Sequence, residues 1–230
     1  MTIGFDVISD LNLSPEDSFN WEGKATSLYC IIAGNVSNDL RTIHQTLLHL
    51  SRFYQGIFYT LGSLEYDGVT DIDKRTEDLA RLCRTIKNIA VLHHHVVIID
   101  GIAIAGANGW YGNTIPSDLE TEVKIEAQRH EDIVYVKNTV ERLQRHLDVK
   151  KIVIVSNSVP GPELFFGEDP ASVQSQLNLN LILPVDTEKK ITHWIYGTYG
   201  KVVDTVINNI NYINNSSFKR KPYWAKRIEV

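Results

Sequence analysis

Cysteine is scarce: Cys30 and Cys83 are the only two in 230 residues. No metal-binding or redox spacing joins them, and Cys30 lies inside an apolar run. The expected state is two buried, reduced thiols, not a disulfide or a zinc site. Long hydrophobic runs are missing too, and no apolar stretch approaches the length that crosses a bilayer. The N-terminus lacks the basic and apolar segments of a secretory signal, since residues 3–9 already read as a strand. These absences predict a soluble, cytoplasmic protein without membrane contact, in which the sequons at Asn35, Asn214 and Asn215 mean little. There is no P-loop, no G-x-G-x-x-G, no Cys-pair zinc motif and no Ser nucleophile elbow. Positive charge is not in excess either: the net charge of −5 argues against wrapping a long nucleic acid.

What is present is an ordinary globular composition, 43% hydrophobic and 22% charged, which argues against disorder. One domain spanning residues 1–230 is long enough to bury a core without disulfides or metal. Apolar, strand-like runs cover residues 3–9, 27–33, 56–61, 151–155 and 191–196. Asp39 opens a helix whose apolar positions Ile43, Leu47, Leu50 and Phe53 recur at helical spacing. Residues 71–89 read as a second helix, with Leu79, Leu82, Cys83 and Ile86 on one face. Residues 96–99 and 102–105 flank Asp100-Gly101, a hairpin signature, because Asp-Gly supplies the positive φ angles of a tight turn. Residues 117–147 predict a long, mostly polar helix, either continuous or broken once near 132–135. A Pro- and Gly-rich loop is expected over 157–174, a short helical or mixed segment over 177–183, and closing strands over 202–212. This order predicts a mixed sheet system with helices outside it.

The polar residues fall in an informative place. Asp10, Gly34-Asn35, Gly62-Ser63, Ser156-Asn157 and Gly197-Thr198 each follow an apolar strand directly. In α/β folds the carboxyl ends of strands are where sites are built. In this order and spacing the chain resembles the calcineurin-like metallophosphoesterases over nearly its whole length, which implies a four-layer α/β/β/α sandwich. That family holds two metal ions at the strand ends through D-x-H, G-D, G-N-H-[DE], a His or His pair after a later strand, and G-H-x-H. The ions activate a water and hold the phosphoryl oxygens. Against that pattern, Ile8-Ser9-Asp10-Leu11-Asn12 keeps the Asp but has Asn12 at the His position. Ile32-Ala33-Gly34-Asn35 has Asn35 in place of the bridging Asp. Leu61-Gly62-Ser63-Leu64-Glu65 has Ser63 for the Asn ligand and Leu64 for the His that the family uses as an acid. Asn157 and Ser158 stand where histidines belong, and Thr198 and Gly200 replace both histidines of the last motif. Residues 88–110 resemble the family's strand–hairpin–"GATLW" stretch, and Arg227-Ile228-Glu229-Val230 resembles its closing strand.

Two divalent cations need several anionic or strong neutral ligands to offset lost hydration. Among the family's ligand positions only Asp10 keeps full donor strength. No cofactor is therefore expected; the alternative is a weakly bound Mg or Mn at an oxygen site. The replacements are mostly polar and similar in size, which keeps buried groups hydrogen-bonded without metal. The resemblance thus implies a pseudoenzyme working as a binding, scaffold or assembly protein with a protein partner. The alternative is a phosphoesterase with weak or atypical metal use around Asp10, Asn12, Asn35, Asn157 and Glu65. Strongly degenerate copies of enzyme folds suit phage or viral genomes, and such an origin is an expectation on that ground alone.

Three further features bear on binding. Glu65, at the acidic position of the third motif, and Trp110 and Tyr111, in the glycine-rich 106–112 stretch, are candidates to line a pocket. His93, His94 and His95 read as neighbours on a strand, where only His93 and His95 share a side, and as incidental surface histidines before a ligand pair. Near the C-terminus Lys219, Arg220, Lys221, Lys226 and Arg227 cluster around Trp224. That segment reads as a solvated tail, or as a docking patch for an acidic protein partner or single-stranded nucleic acid.

Overall fold

The computed structural model describes residues 2–110, 119–164, 179–198, 200–217 and 222–230. In chain order the elements are β1 (Gly4–Ile8), β2 (Tyr29–Ala33), α1 (Leu40–Leu50), β3 (Gly56–Thr60), α2 (Ile72–Arg84), β4 (Ile89–Val91), β5 (His95–Ile99) and β6 (Ile102–Ala107). There follow α3 (Leu119–Gln144), β7 (Lys151–Ser156), α4 (Leu179–Ile182), β8 (Ile191–Tyr196), β9 (Val202–Ile207), β10 (Ile210–Asn215) and β11 (Lys226–Glu229). One sheet has the order β11-β1-β2-β3-β4 and the other β5-β6-β7-β8-β10-β9. Strands β1 to β4 run parallel, with β11 antiparallel at one edge. In the second sheet β6, β7, β8 and β10 run parallel between antiparallel β5 and β9.

Alternation along each strand divides the interior into three cores. Phe5, Val7, Ile31, Ala33 and Phe58 point between the sheets and meet Val153, Val155 and Ile195 from the other side. Their neighbours Ile8, Cys30, Ile32, Ile57 and Tyr59 point the opposite way, under Ile43, Leu47 and Leu50 of α1 and Leu79 and Cys83 of α2. Ile152, Ile154, Trp194 and Tyr196 likewise face Val136, Val140 and Leu143 of α3. Strands covered on both faces read as continuous apolar runs, which is why the sequence marks them so clearly. The result is the α/β/β/α sandwich that the resemblance implies, and both cysteines are buried thiols as expected.

The helix starts follow local chemistry. Asp39 accepts the Thr42 N–H at 2.7 Å and Asp71 accepts the Lys74 N–H at 3.0 Å, caps that contribute about 1 kcal/mol each. The Asp100-Gly101 turn has φ of 46° and 81°, as the hairpin signature predicts. Three expectations are corrected or decided. Helix α2 stops at Arg84, because Ile89 is already taken into sheet pairing with Ile57. Helix α3 passes through 132–135 unbroken: Asp132 is fully buried, and its carboxylate accepts the Gly109 N–H at 2.6 Å and pairs with His94 Nε2 at 2.5 Å. A satisfied charge therefore stands where the alternative placed a break. The three histidines do not share a strand; His93 and His94 form a bend, with His94 at φ 49°, and only His95 belongs to β5. Residues 165–178, 111–118 and 218–221 lie outside the described residues, and with them most of the predicted 157–174 loop, Tyr111, Lys219, Arg220 and Lys221. Among the described residues no helix is long and apolar enough to cross a membrane.

Candidate functional site

The carboxyl ends of β1, β2, β3, β7 and β8 converge, and their polar residues close into one hydrogen-bonded network. Asn35 sits at its centre. Its amide Nδ2 donates to Asp10 Oδ1 at 2.9 Å and to Thr198 Oγ1 at 3.1 Å. Its Oδ1 accepts the Leu64 N–H at 2.9 Å and lies 3.4 Å from the Ser63 hydroxyl. Asn157 bridges the two sheets in the same manner. Its Nδ2 donates to Ala33 O at 3.0 Å, while its Oδ1 accepts the Ser63 N–H at 3.0 Å and the Thr198 hydroxyl at 2.5 Å. Asp10 Oδ1 accepts a second donor, the Thr198 N–H, at 2.8 Å.

This packing leaves little room. A Cβ on Gly62 would lie 2.4 Å from both the backbone N and the Oδ1 of Asn35, and one on Gly197 would lie 2.3 Å from Ala33 O. The strand ends also hold strained backbone: Asp10, Asn12, Asn35 and Thr198 have φ of 52°, 46°, 60° and 64°. For a β-branched residue such as Thr198 that conformation is an outlier, and it persists only where the surroundings fix it. Here the fixing contacts are the three hydrogen bonds of Thr198 just described.

Glu65 supports the network from beneath. It is fully buried and accepts four donors: the N–H groups of Asn35 (3.0 Å), Val36 (2.8 Å) and Gly62 (2.9 Å), and the Tyr59 hydroxyl (2.6 Å). It ties the ends of β2 and β3 together and does not line an open pocket, which corrects the expectation for it. Burial raises its pKa, and the Tyr59 and backbone hydrogen bonds oppose that rise. Asp10 behaves alike: burial raises its carboxyl above the usual range, against the lowering effect of the Thr198 N–H and the Asn35 amide.

The remaining sequence-selected residues divide. Asn12 folds back on its own loop, donating to Asp10 O at 2.9 Å. Ser158 is buried beside Asn157 with its N–H on Asn108 O, and its hydroxyl has no hydrogen-bond partner among the described residues. Gly200 is exposed. Trp110 does not line a surface; it is buried against Tyr66, ring centroids 4.5 Å apart. In the basic segment Trp224 is exposed, but Lys226 pairs with Asp204 at 2.6 Å and Arg227 with Glu229 at 2.6 Å. Sequence reasoning missed Ser9, Asn214 and Ser216. The Ser9 hydroxyl lies 3.3 Å from Asp10 Oδ2 and 3.2 Å from Asn214 Oδ1, and Ser216 adds a hydrogen bond to Asp10. The signal was available, since Asn214-Asn215-Ser216-Ser217 is a polar run ending an apolar strand.

Chemically, Asp10 and Glu65 are the titratable groups of the network, and N–H groups of Asn35 and Thr198 donate to Asp10 Oδ1. Among the described residues no three His, Cys, Asp or Glu side chains are grouped to hold a metal ion.

No family model matches the sequence, and no curated protein matches it. Solved structures do share the fold. Phosphopantetheinyl hydrolase from Mycobacterium tuberculosis matches with a TM-score of 0.62 at 16% identity, over 97% of this chain and 95% of that one. A protein assigned as a 5′-nucleotidase from Staphylococcus aureus matches with a TM-score of 0.58 at 14% identity, over 94% of this chain but 49% of its own. GAP50, the anchor in the inner membrane complex of Plasmodium, matches with a TM-score of 0.51 at 10% identity, over 94% and 72%. The chain thus has a metallophosphoesterase-like fold.

Proposed function

We propose that this protein is a pseudoenzyme on the metallophosphoesterase fold, acting as a binding, scaffold or assembly protein and not as a hydrolase. The observation that carries the reading is the occupancy of the oxygens. Asp10 Oδ1, Asn35 Oδ1 and Asn157 Oδ1 each face two protein donors. A cation approaching any of them would have to displace an N–H or O–H and leave it unpaired in a buried site, at about 1–3 kcal/mol for each. The donor set therefore does not fit a pair of divalent ions. Leu64, half-buried where an acid would stand, has no proton to give.

Two facts give a binding role its support. The fold is intact around a centre rebuilt with hydrogen bonds, and an anchor protein of the Plasmodium inner membrane complex uses the same fold. One observation favours the second reading, a hydrolase with weak Mg²⁺ or Mn²⁺ use: the contact of Asp10 Oδ2 with the Ser9 hydroxyl is long, 3.3 Å.

Metal analysis of protein purified without chelator decides between the two, together with phosphomonoesterase and phosphodiesterase screens with added Mn²⁺. The expected result is no stoichiometric Mn, Fe, Zn or Ni and no turnover. Turnover that Asp10→Ala abolishes would falsify the pseudoenzyme reading.

A further inference from the structure

Away from the strand ends, the free edge of β4 opens into a groove of about 530 Å³. Its walls include Ala80 and Arg84 from α2, Ile89 and Val91 from β4, His93 from the bend that carries the chain into the second sheet, and His95 at the start of β5. The surface is mostly apolar side chain. Among the described residues only the β3 side of β4 is paired in the sheet, so the groove runs beside a strand edge that none of them covers by pairing. Proteins usually blunt such edges with Lys, Pro or a covering element. Here β4 is the three residues Ile-Ala-Val: its shortness is itself such a device, but it carries neither Lys nor Pro.

Among the residues that line the groove the formal charge is the Arg84 guanidinium, while Asp132 and Glu131 act on His93 from behind it. Arg84 is exposed, and its Nε reaches only Ala80 O, at 3.3 Å. No carboxylate pairs with Arg84 or His95 among the described residues, and no acidic residue lines the groove. This contrasts with a chain of net charge −5. A guanidinium without a counter-ion beside an apolar strand edge fits an extended ligand with apolar side chains into the groove and a carboxylate at its rim.

We propose that the β4 edge is a docking site for an extended acidic peptide segment of a partner protein, which adds alongside β4 and places a carboxylate on Arg84. The proposal is independent of the chemistry at the strand ends and stands whichever way the metal and turnover assays fall. Its charge complementarity selects this occupant over a second copy of the chain, whose surface is acidic overall but whose own β4 brings no carboxylate.

The test uses the full chain and fluorescence-labelled synthetic probes. One peptide alternates Val with Glu, a second alternates Val with Lys, and a third probe is a single-stranded oligothymidylate. Polarisation should report saturable binding of the Glu peptide, with the Lys peptide at least about tenfold weaker. Arg84→Glu should reverse that preference. Ala80→Trp, which fills the groove from the exposed side of α2, should remove binding while circular dichroism and melting temperature stay near wild type. Equal binding of both peptides, preference for the oligonucleotide, or binding that survives Ala80→Trp in folded protein would each overturn the proposal. So would sedimentation showing a dimer of the unliganded chain that Ala80→Trp dissociates, because the groove would then belong to a second copy.

Discussion

Asn35→Asp returns the carboxylate that the metallophosphoesterase pattern has at this position, and the network predicts that the protein will tolerate it poorly. The substituted oxygen would replace Nδ2, which lies 2.9 Å from Asp10 Oδ1 and 3.1 Å from Thr198 Oγ1. A hydrogen bond to a charged group, worth about 1.5–3 kcal/mol, becomes a contact between two carboxylates. Thr198 cannot compensate, because its hydroxyl proton is committed to Asn157 Oδ1. Two carboxylates this close do not both ionise, so one keeps its proton. The expected loss near neutral pH is about 3 kcal/mol, or roughly 6–12 °C in melting temperature for a chain of this size. The pH dependence has a definite sign. The shared proton raises a folded-state pKa above the unfolded carboxyl value of about 4. The folded variant then binds more protons than the unfolded chain, and its stability falls as pH rises from there through the raised pKa. Chemical denaturation of both proteins across this range measures the gap, which should be small near pH ~4 and widen toward neutrality. A variant within about 0.5 kcal/mol of wild type at neutral pH would show that the Asn35 amide is not what neutralises Asp10.

Other consequences follow from the same contacts. Asp10→Asn removes a carboxyl whose pKa burial raises; it should flatten the decline of stability with rising pH, and an unchanged pH–stability curve would contradict the assignment. Glu65→Gln turns one acceptor oxygen into a donor facing existing donors and should cost about 2–4 kcal/mol, read by denaturant titration. Gly62→Ala forces a methyl to 2.4 Å from Asn35 and should destabilise at least as strongly, or yield insoluble protein. His94→Ala leaves Asp132 buried with one donor fewer and should lower stability by about 1–3 kcal/mol, with hydrogen exchange rising at Gly109 first.

The fold was legible because both faces of the parallel strands are covered, so that residues 27–33 and 151–155 announce themselves as unbroken apolar runs. The strand-end site was legible for the same reason: a polar residue stands out directly after such a run. Local patterning misled where tertiary contacts decide. Asp132 looks like a helix break until Gly109 and His94 satisfy it, and Trp110 looks like a rim residue until Tyr66 packs on it. Glu65 reads as a pocket residue because it stands at the acidic position of the third motif. That four donors converge on it from two chain segments is set by the meeting of β2 and β3, which no single segment encodes. The docking edge was not legible at all, since it depends on which strand ends the sheet.

The left-handed backbone at Asp10, Asn12, Asn35 and Thr198 carries the argument one step further. In an enzyme such strain serves catalysis, and replacing site residues often stabilises the fold because buried charge and strain are relieved. In this chain the same strained positions are held by amide, hydroxyl and backbone N–H contacts that also join the two sheets, through Asn157 to Ala33 and Ser63 and through Thr198 to Asp10. Removing those contacts leaves the strain and takes away what balances it. Alanine at Asn35, Asn157 or Thr198 should therefore destabilise, by about 1–3 kcal/mol each, with non-additive double variants because the three share partners. If instead these substitutions raised the melting temperature, the centre would carry the stability deficit of a working active site, and the case for a pseudoenzyme would fail on thermodynamic grounds before any substrate was tried.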